Sequence, residues 1–348
     1  MEPLAERKRQ ATLGKYREVP EFPKEIFLDL TSFCNHACVF CANPLIKNKT
    51  TMEEEMVYRV LTEAYECGVT DLGLYATGES FLVRKLANYV GFAKNLGYRY
   101  LFITTNGALA TPDRAKPVID AGLDSLKFSI SAGTKNTYKQ IQGRDDFDLV
   151  LENLRWISRY REESQCDLKI YVTMVYTDKT RSEVEKLEEL VRPFIDEWDP
   201  HELTNQCGNM PENNAIGSVG TENPRGRGQR RVCYQPFKGF TVTPEGTVSA
   251  CVIDYSRDLV VGDLNQSTLT EIWEGEVYKK FRRRHLNRDL KGLICHNCMN
   301  NAHESVDPLM PEYKHDYRDR NKESTVAVAA DREEIYFDEI SEMNHGSD

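Results

Sequence analysis

Short apolar runs alternate with longer amphipathic stretches along the amino-terminal half of the chain. Glu25 to Leu30 reads as a buried strand, and the apolar spacing of Met52 to Glu66 predicts a helix. Asp71 to Ala76 reads as a strand and Leu82 to Leu96 as a helix. Tyr100 to Thr105 carries the aromatic and β-branched residues that strands favour. Pro112 to Asp120 is helical in pattern, Ser125 to Ser131 strand-like, Phe147 to Arg161 an amphipathic helix, and Leu168 to Tyr176 a strand. Ser182 to Glu197 reads as one further helix. Regular β-then-α alternation implies right-handed crossovers and a parallel sheet. The units number near six, short of an eightfold barrel. The expected fold class is α/β, a partial (β/α)6 TIM-like barrel.

The pattern changes after about Asp199. Asn205 to Arg231 is rich in Gly, Asn, Pro and Arg and reads as a long irregular connection, of the kind that is often functional. A small α+β lobe follows, with a hairpin from Gly239 to Cys251 turning near Pro244-Glu245-Gly246. A helix from about Thr268 to Arg284 then leads to Cys295 and Cys298. Beyond Glu304 the chain is polar, and its last stretch, DREEIYFDEISEMNHGSD, is acidic and expected to be mobile. The expected divisions are an extension (1–21), the barrel (22–204), the connection (205–231), the lobe (232–303) and an acidic tail (304–348).

Composition narrows the function classes. With 40% hydrophobic and 29% charged residues the chain has an ordinary globular balance. A net charge of −10 argues against general nucleic-acid binding, which needs a basic footprint. The amino terminus, MEPLAERKRQ, has no apolar signal-peptide core. No apolar run reaches the roughly 18 residues that span a bilayer, so no membrane partner is expected and a cytoplasmic address follows. Seven of the ten cysteines sit in tight or paired groups. Nothing directs export to a compartment where disulfides persist, so metal is the better reading.

Cys34, Cys38 and Cys41 form C-x3-C-x2-C directly after the first strand. Three thiolates on one loop can take three corners of a four-iron cluster and leave the fourth iron open. A structural zinc or an electron-transfer cluster normally takes four protein ligands. Phe40 stands just before the third cysteine, and the segment resembles the signature of the radical S-adenosylmethionine (SAM) superfamily. That resemblance implies a [4Fe-4S] cluster whose open iron is chelated by SAM. It also implies a flavodoxin- or ferredoxin-type reductant, and reductive cleavage to a 5′-deoxyadenosyl radical that takes hydrogen from substrate. Ala76-Thr77-Gly78-Glu79 resembles the family's GGE-type segment at the methionine amino group, with Thr77 where a glycine is common. Asn106 and Ser129 resemble the polar strand ends used around SAM, although such residues also serve as helix caps and turns. Tyr138 to Gly143 resembles a segment that often has Arg before its glycine; here Gln142 stands there and Arg144 follows, so no role is transferred.

Cys233 and Cys251 flank the predicted hairpin, and Cys295 and Cys298 form C-x2-C. Four thiolates make a closed site that suits a cluster or a zinc ion alike. Cys233-Tyr-Gln-Pro-Phe, Gly246-x4-Cys251, the Trp273 helix and Cys295-x2-Cys298 resemble the SPASM and Twitch lobes of radical SAM enzymes. No cysteine follows Cys298, so the resemblance implies one auxiliary [4Fe-4S] cluster, as in Twitch lobes. The layout is similar to that of 2-deoxy-scyllo-inosamine dehydrogenase and related sugar and aminocyclitol enzymes. Sulfatase-maturing and molybdenum-cofactor cyclase types fit it poorly. The resemblance spans about Phe22 to Ala302.

Three cysteines are left over. Cys67 and Cys166 read as packing thiols. Cys207, in the irregular connection, is a candidate hydrogen donor to a substrate radical, a substitute cluster ligand, or a loop thiol without chemistry. Arg225 to Arg231 and Phe281 to Arg284 are locally basic. They suit a phosphorylated or nucleotide-linked substrate, or a solvated face opposite the acidic tail. His36, inside the first cysteine loop, reads as packing. The expected function is oxidation or epimerisation of a sugar- or aminocyclitol-type carbon in a small molecule. The alternatives are a peptide maturase, for which only 33 residues precede Cys34, and a non-catalytic iron–sulfur or zinc protein.

Overall fold

In the computed structural model, residues 16–219 and 232–317 are described. Strand β1 (Glu25–Leu28) is followed by helix α1 (Glu54–Glu66), whose Val57, Val60, Leu61 and Ala64 form a buried stripe at helical spacing. Then come β2 (Asp71–Gly73), α2 (Leu86–Leu96), β3 (Tyr100–Thr105), α3 (Pro112–Asp120) and β4 (Ser125–Ser129). Two helices, α4 (Lys135–Gln142) and α5 (Phe147–Ser164), lead to β5 (Lys169–Tyr176), and α6 (Val184–Val191) leads to β6 (Glu197–Glu202). The six strands pair in parallel from β1 to β6, which makes the expected open six-unit barrel. Leu101, Ile103, Leu126, Phe128, Ile170 and Val172 join the main core under the helices.

Three elements differ from the expected pattern, each for a local reason. The helix expected over Ser182 to Glu197 is only α6, with short 3-10 turns at Arg181–Glu183 and Arg192–Phe194. Pro193 lacks the N–H that would continue it. Released there, the chain forms β6, an edge strand that tolerates Pro200 and shows no buried alternation. The helix expected from Thr268 to Arg284 is two, α8 (Leu269–Trp273) and α9 (Glu276–Asn287). Gly275 stands between them, in extended backbone as the N-cap of α9. The short α4 was not legible as a helix, because KNTYKQIQ buries only Tyr138, Ile141 and Gln142.

After α7 (Gln235–Lys238), β7 (Thr241–Val242) pairs in parallel with β1, and β8 (Thr247–Ser249) and β9 (Val260–Asp263) follow antiparallel. The sheet order is therefore β6-β5-β4-β3-β2-β1-β7-β8-β9. The lobe's hairpin extends the barrel sheet and covers the edge that β1 would otherwise expose. Gly246 sits at φ 81 in the hairpin turn, as the Pro-Glu-Gly segment predicted. Helix α10 (Ile294–Asn300) carries Cys295 and Cys298.

The polar tail expected from residue 304 begins by crossing the lobe. Leu309 N donates to Asp258 O at 3.0 Å, His315 N to Ser256 O at 2.9 Å, and Tyr317 bridges to Ile46. The last acidic stretch lies outside the described residues, as does the basic run Arg225 to Arg231. Among the described residues no helix is long and apolar enough to cross a membrane.

Candidate active site

The loop carrying Cys34, Cys38 and Cys41 leaves the carboxyl end of β1 and is tied down along its length. Ala37 N and Val39 N donate to Gln142 O and Ile141 O at the end of α4, at 3.3 and 2.9 Å. His36 is buried, with Nε2 3.0 Å from Asp146 Oδ2 and Nδ1 3.3 Å from Gln142 Nε2. His36 thus ties the cysteine loop to α4 and to Asp146. Gln142 also accepts from Ser131 N and donates to Ser129 O. A glutamine here joins the cysteine loop to the end of β4. Arg144 Nε donates to Asn35 O at 3.0 Å. Phe40 packs with Ile141 and Leu203, and its carbonyl accepts from Asn213 Nδ2. The aromatic residue before the third cysteine therefore anchors the loop.

The Thr77-Gly78-Glu79 turn is pressed onto the start of this loop. A Cβ on Gly78 would stand 2.0 Å from Thr31 O and 2.5 Å from Phe33 O, and Glu79 N donates to Phe33 O at 2.8 Å. Thr77 Oγ1 donates to the buried Asp29 Oδ2 at 2.5 Å, and Thr77 O accepts from Asn43 Nδ2 at 2.7 Å. Glu79 is buried, and its carboxylate accepts from Phe81 N, Thr105 Oγ1 and Asn106 N. Burial raises its pKa against those bonds. Three of about four lone-pair sites on a carboxylate are thereby used, so Glu79 first orders the ends of β2 and β3. Asn106 Nδ2 reaches Asn35 Oδ1 at 2.7 Å and lies 3.9 Å from Cys34 Sγ. Ser129 closes β4 and meets Gln142 through its carbonyl. These residues all gather at the carboxyl ends of the strands, where α/β folds place ligands. Burial pushes the Cys34 thiol up to about 11, with Glu79 and Cys41 adding to it.

A second group of thiols lies in the lobe. Burial holds Cys295 well above the ordinary thiol range, and Cys233, Cys251 and Cys298 reinforce it. Cys207 joins them: its Sγ is 3.9 Å from Cys251 Sγ, and it also hydrogen-bonds Cys298. Cys207 is 2% exposed and faces the lobe's thiols. Among the described residues no three Cys, His, Asp or Glu side chains close round one point as a single ion requires. The fit to clusters rests on donor type, and both groups offer only soft thiol ligands of the kind that hold iron–sulfur clusters.

A description of the radical SAM superfamily matches residues 28–191, and one of an iron-sulfur cluster-binding domain, SPASM, matches residues 233–299. A radical SAM domain therefore occupies residues 28–191. The SPASM domain follows it at residues 233–299, and together the two domains imply a four-iron cluster with SAM and an auxiliary iron–sulfur cluster. A curated relative named "Probable GTP 3',8-cyclase" from Saccharolobus islandicus (strain M.14.25 / Kamchatka #1) is 34% identical over 133 residues, 38% of this chain and 42% of that protein. The chain thus spans less than half the length of the curated relatives it matches. Among solved structures, BtrN in complex with AdoMet and 2-DOIA is similar at TM-score 0.54 and 16% identity, covering 82% of this chain and 98% of BtrN. Streptococcus suis SuiB bound to precursor peptide SuiA reaches TM-score 0.62 at 15% identity, covering 79% of this chain and 70% of SuiB. At these identities the likeness is one of fold.

Two features of this radical SAM fold were missed in the sequence. Tyr255, on the turn between β8 and β9, is buried with its hydroxyl 3.7 Å from Cys41 Sγ. Beside it Arg257 is buried at φ 59, with Nη2 3.3 Å from Glu245 and 3.8 Å from Asp29. Burial pushes Asp29 up to about 6 although Arg257 opposes it. Burial opposes the charge of Glu245 as well, but Arg257 and His315 outweigh it and hold the group at about 2. Asp254-Tyr255-Ser256-Arg257-Asp258 follows no periodic pattern; its density of polar groups inside an otherwise apolar lobe was the one available hint.

The basic run Phe281 to Arg284 is structural. Arg282 lies between the Trp273 and Tyr278 rings, 3.9 and 3.7 Å from their centroids, and donates to the carbonyls of Pro236, Glu18 and Trp273. Arg283 pairs with Glu18, and Arg284 binds the carbonyls of Asp289 and Lys291. The phosphate-contact expectation fails for this run, because its guanidinium groups already serve the fold.

Proposed function

We propose that this radical SAM enzyme oxidises a carbinol carbon of a sugar- or aminocyclitol-type small molecule to a carbonyl, in the cytoplasm, with a flavodoxin- or ferredoxin-type reductant. Cys34, Cys38 and Cys41 would hold the cluster open to SAM, and Cys233, Cys251, Cys295 and Cys298 the auxiliary cluster. Phe40, Thr77, Gly78, Glu79, Asn106 and Ser129 would line the SAM side. When bound, these groups supply a 5′-deoxyadenosyl radical that removes a hydrogen atom and a sink for one further electron. Loss of that hydrogen, one electron and the hydroxyl proton leaves the carbonyl.

The choice of oxidation over epimerisation rests on the position of Cys207. An epimerase needs a thiol free to return a hydrogen atom, and this thiol is buried 3.9 Å from Cys251 Sγ. Cys67 ends α1 and Cys166 precedes β5, so both belong to the amino-terminal ends of the strands, away from the cluster loop. The chain's own contribution is positional: the ties from His36, Gln142, Phe40 and Asn213 fix the loop before any ligand binds.

Anaerobic reconstitution should yield about eight irons per chain, and SAM with reductant should give 5′-deoxyadenosine, abolished in C38A. Four irons plus zinc would remove the auxiliary cluster. Incubation with polyols and aminocyclitols should give a product two hydrogens lighter; an isomer of unchanged mass would favour epimerisation. The partial match to proteins named as GTP 3',8-cyclases favours one second reading, a purine nucleotide substrate. Conversion of GTP to a cyclised product of unchanged mass would establish it.

A further inference from the structure

The auxiliary site has one thiol more than a four-iron cluster needs. Such a cluster takes four cysteine ligands, one to each iron, whereas here Cys207 acts on Cys251 and Cys298, and Cys295 on Cys233, Cys251 and Cys298, five thiols in one region of the lobe. The extra thiol is held there by a dedicated turn. Gln206, Cys207 and Gly208 adopt φ 49, 59 and 83 in succession. Left-handed backbone costs a non-glycine residue about 1–2 kcal/mol, so two residues are strained to aim this side chain. Strain of this sort persists only where the surroundings impose it. Asn205 imposes it here: Nδ2 donates to Asn297 O at 3.0 Å and Cys298 O at 3.4 Å, while Oδ1 accepts from Gly208 N at 3.1 Å. A Cβ on Gly208 would lie 2.8 Å from Asn297 Cβ and 3.2 Å from Cys298 N. The turn is moulded onto α10, the helix of the C-x2-C pair.

The sulfur–sulfur distance indicates which corner the extra thiol addresses. Two thiolates on one tetrahedral metal, with bonds of about 2.3 Å, stand about 3.8 Å apart. Thiolates on different irons of a cubane are farther apart, because the iron–iron vector is added. Cys207 hydrogen-bonds both Cys251 and Cys298, and its sulfur lies 3.9 Å from that of Cys251. We infer that Cys207 is a fifth ligand of the auxiliary cluster, interchangeable with Cys251 at a single iron. Exchange breaks the iron–sulfur bond of Cys251 and forms that of Cys207, while a proton passes from the incoming thiol to the departing thiolate. No electron is gained or lost. The site would thereby stay fully ligated when one corner is disturbed.

This inference rests on the proposal that the lobe's cysteines hold an iron–sulfur cluster, and the experiment separates the two. In a full-length C34A/C38A/C41A background, anaerobic reconstitution reports the auxiliary site alone, at about four irons. Iron and sulfide content, and the electron paramagnetic resonance spectrum after reduction, are read for added C207A, C251A, C207A/C251A and C295A. C251A and C207A should each keep about four irons, C251A with altered g-values, while the double variant and C295A fall below about one. Loss of iron in C251A to the level of C295A overturns the inference, as does retention of four irons in the double variant. A background protein without iron overturns the auxiliary-cluster reading instead. Thermal melts by circular dichroism accompany each variant. If the double alanine variant does not fold, C207V/C251V fills the space without a ligand atom and carries the same comparison.

Discussion

At the residue scale, single atoms decide whether the cysteine loop can form. Gly78 is required by packing, since a methyl group there would overlap Thr31 O and Phe33 O. Both are backbone atoms of the segment that leads into Cys34, so relief must move the loop itself. Gly78→Ala is expected to cost about 1–3 kcal/mol, the range for overpacking, and to lower the iron held after reconstitution from about eight to about four. Iron analysis with a thermal melt checks both. Unchanged iron content would assign Gly78 to another purpose. His285 offers an independent test away from the loop. Burial and Arg284 push it down to about 4 from 6.5, and among the described residues neither ring nitrogen has a hydrogen-bond partner. The folded state then binds fewer protons than the unfolded chain, so this contribution to stability is intact above pH 6.5 and is lost as pH falls toward 4. In urea titrations His285→Leu should gain about 2–3 kcal/mol on the wild type between pH 7.5 and 4.5. Parallel pH profiles would refute it.

At the element scale, the regular units were legible where one periodicity dominated. The bounds of β3 and α3 coincide with those read from the sequence, because the aromatic and β-branched run Tyr100–Thr105 and the Pro112 start stand out from their flanks. β6 and α4 were not, for opposite reasons: EWDPHE buries little on either face, and α4 is too short for a full stripe. In the site, the cysteine motif was legible as spacing, whereas the loop's ties were not, since Gln142, Asn213 and Asp146 come from remote segments. α4 nonetheless decides how the loop is held, because Gln142 joins it to His36, Ser129 and Ser131. Gln142→Leu keeps the volume and leaves Ser131 N and Ser129 O without this partner. A loss of about 1–3 kcal/mol is expected from an unsatisfied buried donor, together with slower SAM cleavage. Chemical denaturation and 5′-deoxyadenosine yield measure the two effects.

At the scale of the whole molecule, the barrel and the lobe share one sheet through β1 and β7, and they also share a contact at the chemistry. Tyr255 belongs to the lobe, yet its hydroxyl lies 3.7 Å from the sulfur of Cys41 in the barrel's loop. Burial and the nearby Cys41 hold this phenol well above its ordinary range, so it keeps its proton. Once Cys41 is a thiolate ligand it has no proton to give, and the phenol becomes the donor. A hydrogen bond to a ligand sulfur stabilises the reduced, more negative state of a cluster and raises its potential. A net bond of about 1 kcal/mol corresponds to about 40 mV for one electron. Tyr255→Phe should therefore lower the potential of the SAM-binding cluster by about that amount and slow reductive cleavage with a fixed reductant. The auxiliary cluster, ligated elsewhere in the lobe, should keep its potential. Redox titration followed by electron paramagnetic resonance distinguishes the two clusters. A shift confined to the auxiliary cluster, or none, would show that the lobe does not tune the SAM-binding centre through this residue.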